Sequence, residues 1–340
     1  MPGASRPWYR RTSAAVTGGL VLTGLLSTIA WKVSPWPAAR LIRAVFDRGA
    51  RATVAEMTSY VPDGVAEVLN VAYGPGGPAE TLDLFSPAGT HEPLPTVIWI
   101  HGGAWISGTK EDVNPYARII ASHGYTTVSL NYAVSPGVVY PRALTQLNAA
   151  LGFLVEHATE FTIDPARLVI AGDSAGAQLA SQLANLITNP AYAAVMRMSP
   201  ALKPDQLAAL ILTCGIYDLS EIPHSPGLGG WGFRMALWGY LGRNHWSRTR
   251  GGSEMSSIDF VTAMFPRTWI SGGNGDPLTS TQSRPFAARL TALGVPVTAV
   301  FYDPTHEPAL PHEYQFHLDF AEARSALAST LEFLATLRPG

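Results

Sequence analysis

Beyond about residue 65 the apolar positions fall into short runs, and longer stretches with helical spacing separate the later ones. The runs predict strands over 65–73, 81–85, 96–100, 126–130, 168–171, 207–212, 268–271 and 297–302. Several are apolar without alternation, as in Val97-Ile98-Trp99-Ile100, which a strand needs when helices cover both faces of its sheet. The pattern therefore predicts an α/β fold built on a mostly parallel sheet flanked by helices. Between the sixth and seventh runs lies an insert, 220–265, in which Trp231, Phe233, Trp238, Tyr240 and Trp246 stand among glycines. It reads equally as a packed excursion or as part of a lid.

Ahead of this region, residues 12–31 form twenty positions without a charge, just after Arg10 and Arg11. Twenty apolar residues are about what a helix needs to cross a bilayer, so the expectation for 1–35 is a membrane anchor or an export signal, with an N-terminal helix packed on the domain as the other reading. Localisation is accordingly expected at a membrane or outside the cell. Ser34 and Pro35 then open an amphipathic helix, with Leu41, Ile42, Val45 and Phe46 on one face, Arg40, Arg43 and Asp47 on the other, and Gly49 near its end. That helix suits a membrane surface, a pocket cover or a place against the domain.

Charge narrows the partners. Residues 1–51 carry eight basic side chains and one acid, leaving fifteen basic and twenty-four acidic groups in the remainder. With three lysines in all and no basic stripe interleaved with aromatics, the footprint of nucleic-acid binding is missing. The single cysteine, Cys214, excludes an internal disulfide and a cysteine-rich zinc site, and its apolar neighbours place it in the core. At 340 residues the chain can bury about three quarters of its unfolded surface, enough to hold a deep site.

The chemistry concentrates at strand ends. Gly172-Asp173-Ser174-Ala175-Gly176 follows the run 168–171 and precedes a helical pattern. Small neighbours let a serine sit on a sharp strand-to-helix turn, with free N–H groups of the helix behind it. His101-Gly102-Gly103-Ala104-Trp105 follows the run 96–100. Here glycines let backbone N–H groups approach a developing oxyanion, so Gly102, Gly103 and Ala175 are the expected oxyanion donors, while His101 is expected to hold its loop.

A serine hydroxyl needs a histidine to take its proton and a carboxylate to orient that histidine. Asp276 in Gly272-Gly273-Asn274-Gly275-Asp276-Pro277 is the preferred acid, with Asp218 its rival. Two histidines follow the last strand run. His306 is nearer the strand end; His312 stands at the start of the last helical pattern, where Tyr314 and Phe316 can wedge it, and is preferred. Cofactor patterns fail on spacing: His312 and His317 are five apart rather than four, Thr109 occupies the lysine position of a phosphate loop, and prolines interrupt the glycines at 74–79. No cofactor and no metal is expected.

Taken together, the His-Gly-Gly segment at 101–103, the Gly-Asp-Ser-Ala-Gly elbow, Asp276-Pro277-Leu278, Asn131-Tyr132 with Pro141, and a late histidine resemble the α/β-hydrolase superfamily. Within it they are similar to the esterases and lipases related to hormone-sensitive lipase, over about residues 65–336. The resemblance implies an eight-stranded sheet, no cofactor, and a cap made from N-terminal helices and an insert, here 36–60 and 220–265 of a domain spanning 36–340. It implies a serine carboxylic ester hydrolase for short- to medium-chain esters or lipids, with Ser174 as nucleophile, His312 as base and Asp276 as acid. A peptidase, an acyltransferase or an inactive binding protein on the same fold are the alternatives. Ala104 stands where the family often has a third glycine, and the loop holding His312 is long and proline-rich.

Overall fold

A computed structural model describes residues 32–222 and 227–338. All eight expected strands form: β1 Val65–Ala72, β2 Thr81–Pro87, β3 Leu94–Ile100, β4 Thr126–Leu130, β5 Ile163–Asp173, β6 Leu207–Thr213, β7 Thr268–Gly272 and β8 Val297–Phe301. They make one sheet in the order β1-β2-β4-β3-β5-β6-β7-β8. β2 runs antiparallel to β1 and β4, and the remaining pairs are parallel. The helices are α1 Trp36–Thr58, α2 Asn114–Ala121, α3 Arg142–Glu156, α4 Ala175–Thr188, α5 Pro190–Met196, α6 Gly227–Leu241, α7 Arg250–Glu254, α8 Arg284–Ala292 and α9 Ala321–Ala335.

The unalternating run in β3 is explained by its two partners. Val97 and Trp99 enter one core layer, where the Trp99 ring meets Tyr116 at 5.3 Å and Phe316 at 5.9 Å. Ile98 and Ile100 enter the other, with Leu179 and Leu183 of α4. Both faces are thus dry, and α4 is buried along its whole length.

Parallel register then decides where the chemistry goes. Ile100 pairs with Gly172, Asp173 with Thr213, Thr213 with Ser271, and Gly272 with Phe301. Five neighbouring strands therefore end level, and the loops that follow them emerge side by side on one edge of the sheet.

Residues 1–31, on which the expected anchor or export signal falls, lie outside the described residues. Among those described, no helix is long and apolar enough to cross a membrane.

Two expectations about α1 need correction. The helix does not end near Gly49; it continues to Thr58, because its far end is held by contacts that local propensity does not encode, with Met57 fully buried and Glu56 hydrogen-bonded to His317 Nδ1 at 3.1 Å. Its buried face is also different. Ala38, Ala39 and Ile42 are buried, whereas Leu41 and Val45 are exposed. Arg43, expected on the outer face, instead donates from Nε to the carbonyl of Ile106 and from Nη2 to that of Ser135, the latter at 2.6 Å. The guanidinium ties α1 to the loop after β3, and α1 also packs against α6 from the insert.

The insert is mostly packed. Trp238, Tyr240 and Trp246 are buried, and Tyr240 stacks on Trp105 at 5.5 Å. Phe233 of α6 reaches the cavity described below.

Candidate active site

At the level strand ends lies a cavity of about 510 Å³. Gly103, Ser174, Asp276 and His312 line it from the sheet side, and Val45 and Phe46 of α1 with Phe233 of α6 close it from above.

Ser174 joins β5 to α4 with φ 50° and ψ −116°, a conformation that costs a residue with a Cβ about 1–3 kcal/mol. Its N–H is fixed by the Thr213 carbonyl at 2.9 Å. The turn closes only because its flanks are small. A Cβ on Gly176 would stand 2.0 Å from the Ile100 carbonyl oxygen and 2.6 Å from that of His101. Both obstacles are backbone, so neither can rotate away. Gly176→Ala is therefore expected to cost about 3 kcal/mol or more, the upper end for overpacking, read as a lowered thermal midpoint, and to lower any activity of the site. An unchanged midpoint would show that β3 and α4 can part freely.

The three side chains expected to act together do meet. His312 Nε2 lies 3.0 Å from Ser174 Oγ, and Nδ1 lies 2.7 Å from Asp276 Oδ2. The other Asp276 oxygen accepts the Leu278 N–H at 2.9 Å, so the carboxylate is held at both ends. The rivals are elsewhere: His306 pairs with Glu322 at 2.8 Å, and Asp218 accepts from Ser220. His312 does not open the last helix, which starts only at Ala321; it sits in the loop before the short turn Tyr314–Phe316. The wedge is real, since Tyr314 and Phe316 are buried and the Tyr314 hydroxyl meets Ser271 Oγ at 2.9 Å.

Asn274, which the sequence reading passed over, joins the acid loop to the base loop. It donates to the His306 carbonyl at 2.8 Å and accepts from the Leu310 N–H at 2.9 Å. Gly273 permits this approach, because a Cβ there would stand 2.3 Å from the Leu310 oxygen.

Gly102 requires a correction. Its N–H donates to Asp173 Oδ2 at 2.7 Å, and so is not free for an oxyanion. The cause is the buried Asp173 carboxyl, which takes that N–H together with the Trp99 indole N–H at 2.8 Å. Gly103 and Ala175 keep their expected position, and neither N–H donates to a protein acceptor among the described residues. Ala104 adopts φ 51°, so the alanine holds the left-handed turn that a third glycine would make freely. The loop after β3 is anchored beyond its glycines by Lys110, buried and paired with Asp83 at 2.7 Å.

His101 holds its loop as expected. It is buried, stacks on Tyr132 at 4.3 Å, and its Nδ1 bonds the Gly102 carbonyl at 2.8 Å. Burial pushes its pKa down to about 4, which leaves the ring neutral at pH 7.

His312 behaves oppositely. Burial lowers its pKa, but the hydrogen bond with Asp276, the Cys214 sulfur and the Glu313 carboxylate together carry it well above the ordinary 6.5. Cys214 is buried, as expected, directly beneath this loop, where its sulfur accepts the Glu313 N–H at 3.2 Å. A histidine acting as base must be neutral, so the rate should rise with pH through its pKa. The acid limb of kcat/KM is therefore expected above pH 6.5, damped because 35% of the His312 side chain faces solvent. A limb at or below pH 6 in a pH–rate profile would contradict it.

Among the described residues, two groups bring three ligand-type side chains within 4.8 Å of one another: Cys214 with Asp276 and His312, and Glu56 with His317 and Asp319. In the first, both His312 nitrogens are already engaged with Asp276 and Ser174.

Comparison with known proteins adds the lineage. The BD-FAE family matches residues 82–290, well over half of the chain. The chain belongs to the BD-FAE family. This membership agrees with the resemblance to α/β-hydrolase esterases related to hormone-sensitive lipase. Among curated proteins, the chain is 28% identical over 240 residues to esterase LipQ of Mycobacterium tuberculosis, covering 67% of this chain and 54% of that protein. It is 30% identical over 142 residues to acetyl esterase of Salmonella choleraesuis, covering 42% and 40%. The matched segments thus span about half the length of these relatives or less.

Among solved structures, esterase B from Lactobacillus rhamnosis superposes with a TM-score of 0.77 at 23% identity, over 89% of this chain and 96% of that one. The hyperthermophilic esterase of Pyrobaculum calidifontis gives 0.71 at 19%, over 93% and 97%. These likenesses establish the α/β-hydrolase fold, with its eight-stranded sheet.

Proposed function

We propose that this BD-FAE family member is a serine carboxylic ester hydrolase acting on short- to medium-chain esters. The observation that carries the reading is the continuous relay from Asp276 Oδ2 through both His312 nitrogens to Ser174 Oγ, at 2.7 and 3.0 Å, on the wall of a cavity of small-molecule size.

In this reading Ser174 Oγ attacks the ester carbonyl carbon while His312 Nε2 takes its proton. Asp276 holds the Nδ1–H and balances the imidazolium charge. The carbonyl oxygen gathers negative charge and is met by the N–H groups of Gly103 and Ala175, the second at the positive end of α4. His312 then gives the proton to the departing alcohol. Water, deprotonated by the same nitrogen, releases the acid from Ser174. The relatives named esterase, and the esterase B structure inhibited by a tributyrin phosphonate, support an acyl-enzyme route here.

The test is labelling with a fluorophosphonate beside p-nitrophenyl butyrate hydrolysis. The label is expected on the peptide containing Ser174, one per chain, with turnover lost in proportion. Labelling elsewhere, or full turnover after complete labelling, would overturn the reading. A chain-length series of p-nitrophenyl esters then reads the acyl preference, with a maximum expected among the shorter chains.

The charge-free stretch 12–31 behind Arg10 and Arg11 supports placing the enzyme at a membrane or outside the cell, where lipid esters would be within reach. Recovery of the full chain in the soluble cytoplasmic fraction would contradict that placement.

A further inference from the structure

We infer that Glu313 makes the site select its substrates by the charge of the alcohol: esters whose alcohol carries an ammonium group close to the ester oxygen are preferred, and those with an anionic alcohol are rejected. The inference rests on the ester-hydrolase reading above and names the substrate class for that site.

Glu313 follows His312 directly and adopts φ 59°, the left-handed region that favours glycine. Its N–H is fixed on Cys214 Sγ, and this aims the side chain along the cavity wall. There Oε1 stands 3.7 Å from His312 Nε2. That nitrogen is the atom that must hand a proton to the departing alcohol, so the alcohol oxygen has to lie within hydrogen-bond reach of it. The first carbons of the alcohol then pass beside the Glu313 carboxylate. A cationic group two carbons along would lie against it; a carboxylate or phosphate at the same place would meet like charge.

Among the described residues the cavity wall sets only one group that can turn cationic beside this carboxylate, His312 itself, and that ring is neutral when it acts as base. No lysine or arginine among the described residues lines the wall, and its other acidic side chains are Asp47, Asp112, Asp173 and Asp276. Each of these already serves the scaffold: Asp47 accepts from Ser107, Asp112 caps the turn at Lys110, Asp173 holds Gly102, and Asp276 holds His312. Burial first, the Glu313 charge next, and a hydrogen bond between the two side chains push the Asp173 carboxyl well above the carboxylate range, toward a neutral form that leaves the negative charge of the pair on Glu313. Asp112 is also raised, by burial and then by the carboxylates of Asp47, Glu111 and Glu313. Glu313, with 32% of its side chain exposed, is the acid placed to meet a substrate. The rings of Phe46, Phe233 and Phe316 complete a wall that accepts an ammonium group on its faces.

The test compares two thioesters of nearly the same shape, butyrylthiocholine and the uncharged S-(3,3-dimethylbutyl) thiobutyrate, on the full chain and on Glu313→Gln and Glu313→Gly. The ratio of their kcat/KM values is the readout, so a general loss of activity cancels. Wild type is expected to favour the cation by about tenfold at low salt, less at high salt, and both variants to fall toward parity. The glycine variant removes the backbone strain along with the charge, which separates misfolding from lost recognition.

Parity in the wild type, or an unchanged ratio in both variants, would overturn the inference. A shift of the pH profile with the ratio unchanged would do the same, because it would leave Glu313 tuning His312 alone. If the uncharged thioester is not turned over through Ser174, the ester-hydrolase reading itself falls, and the inference with it.

Discussion

Ser174→Ala is expected to lower ester turnover by about 10⁶-fold, equivalent to about 8 kcal/mol of lost transition-state stabilisation. The size follows from geometry. Without Oγ the imidazole 3.0 Å away has no proton to take, and the donors at Gly103 and Ala175 are left with only water attack to assist. The fold should survive, since the hydroxyl's hydrogen bond is to His312 and the main chain at 174 stays pinned by Thr213. Unaltered thermal unfolding with activity reduced to the oxyanion-hole residue, about 10³–10⁴ above water, is the expected pair of results. Retention of even one tenth of the turnover would remove Ser174 from the nucleophile's role.

The second large effect separates the two histidines of one loop. His312→Ala is expected to cost nearly as much as loss of the serine, because nucleophile and base act as a unit and their losses do not add. His306→Ala should change kcat/KM by less than about threefold. Its ring serves a partly exposed pair with Glu322 near the surface, and such pairs contribute about 0–1 kcal/mol. Steady-state kinetics on the two variants and on the double variant Ser174→Ala/His312→Ala checks this. Equal losses in the two single histidine variants, or additive losses in the double variant, would break the assignment.

How much of this was legible in the chain depends on what each residue's partner is. The strands were readable because burial on both sheet faces leaves an unalternating apolar run, and Val97–Ile100 can be nothing else in a helix-flanked sheet. The elbow was readable because Gly172 and Gly176 answer backbone contacts within the turn or just across it.

The extent of α1 was not. Gly49 faces open space, so it costs the helix only its propensity, about 1 kcal/mol, and the contacts at Met57 and Glu56 outweigh that. The loss of the Gly102 donor was equally hidden. The carboxylate that takes it lies 71 residues away, although Asp173 within the elbow was a signal that a buried acid would need donors there. Between His306 and His312, loop length favoured the former, and only the later helix, through Glu322, gives that ring another occupation.

Asn274 carries a consequence for how the molecule ages under heat. By spanning from the turn of Asp276 to residues 306 and 310, it welds the loops of His312 and Asp276 into a single piece that docks against Ser174. Loosening would then open a gap in front of the serine before it separated the imidazole from its carboxylate, and a warmed sample would fall silent while most of its architecture still stood.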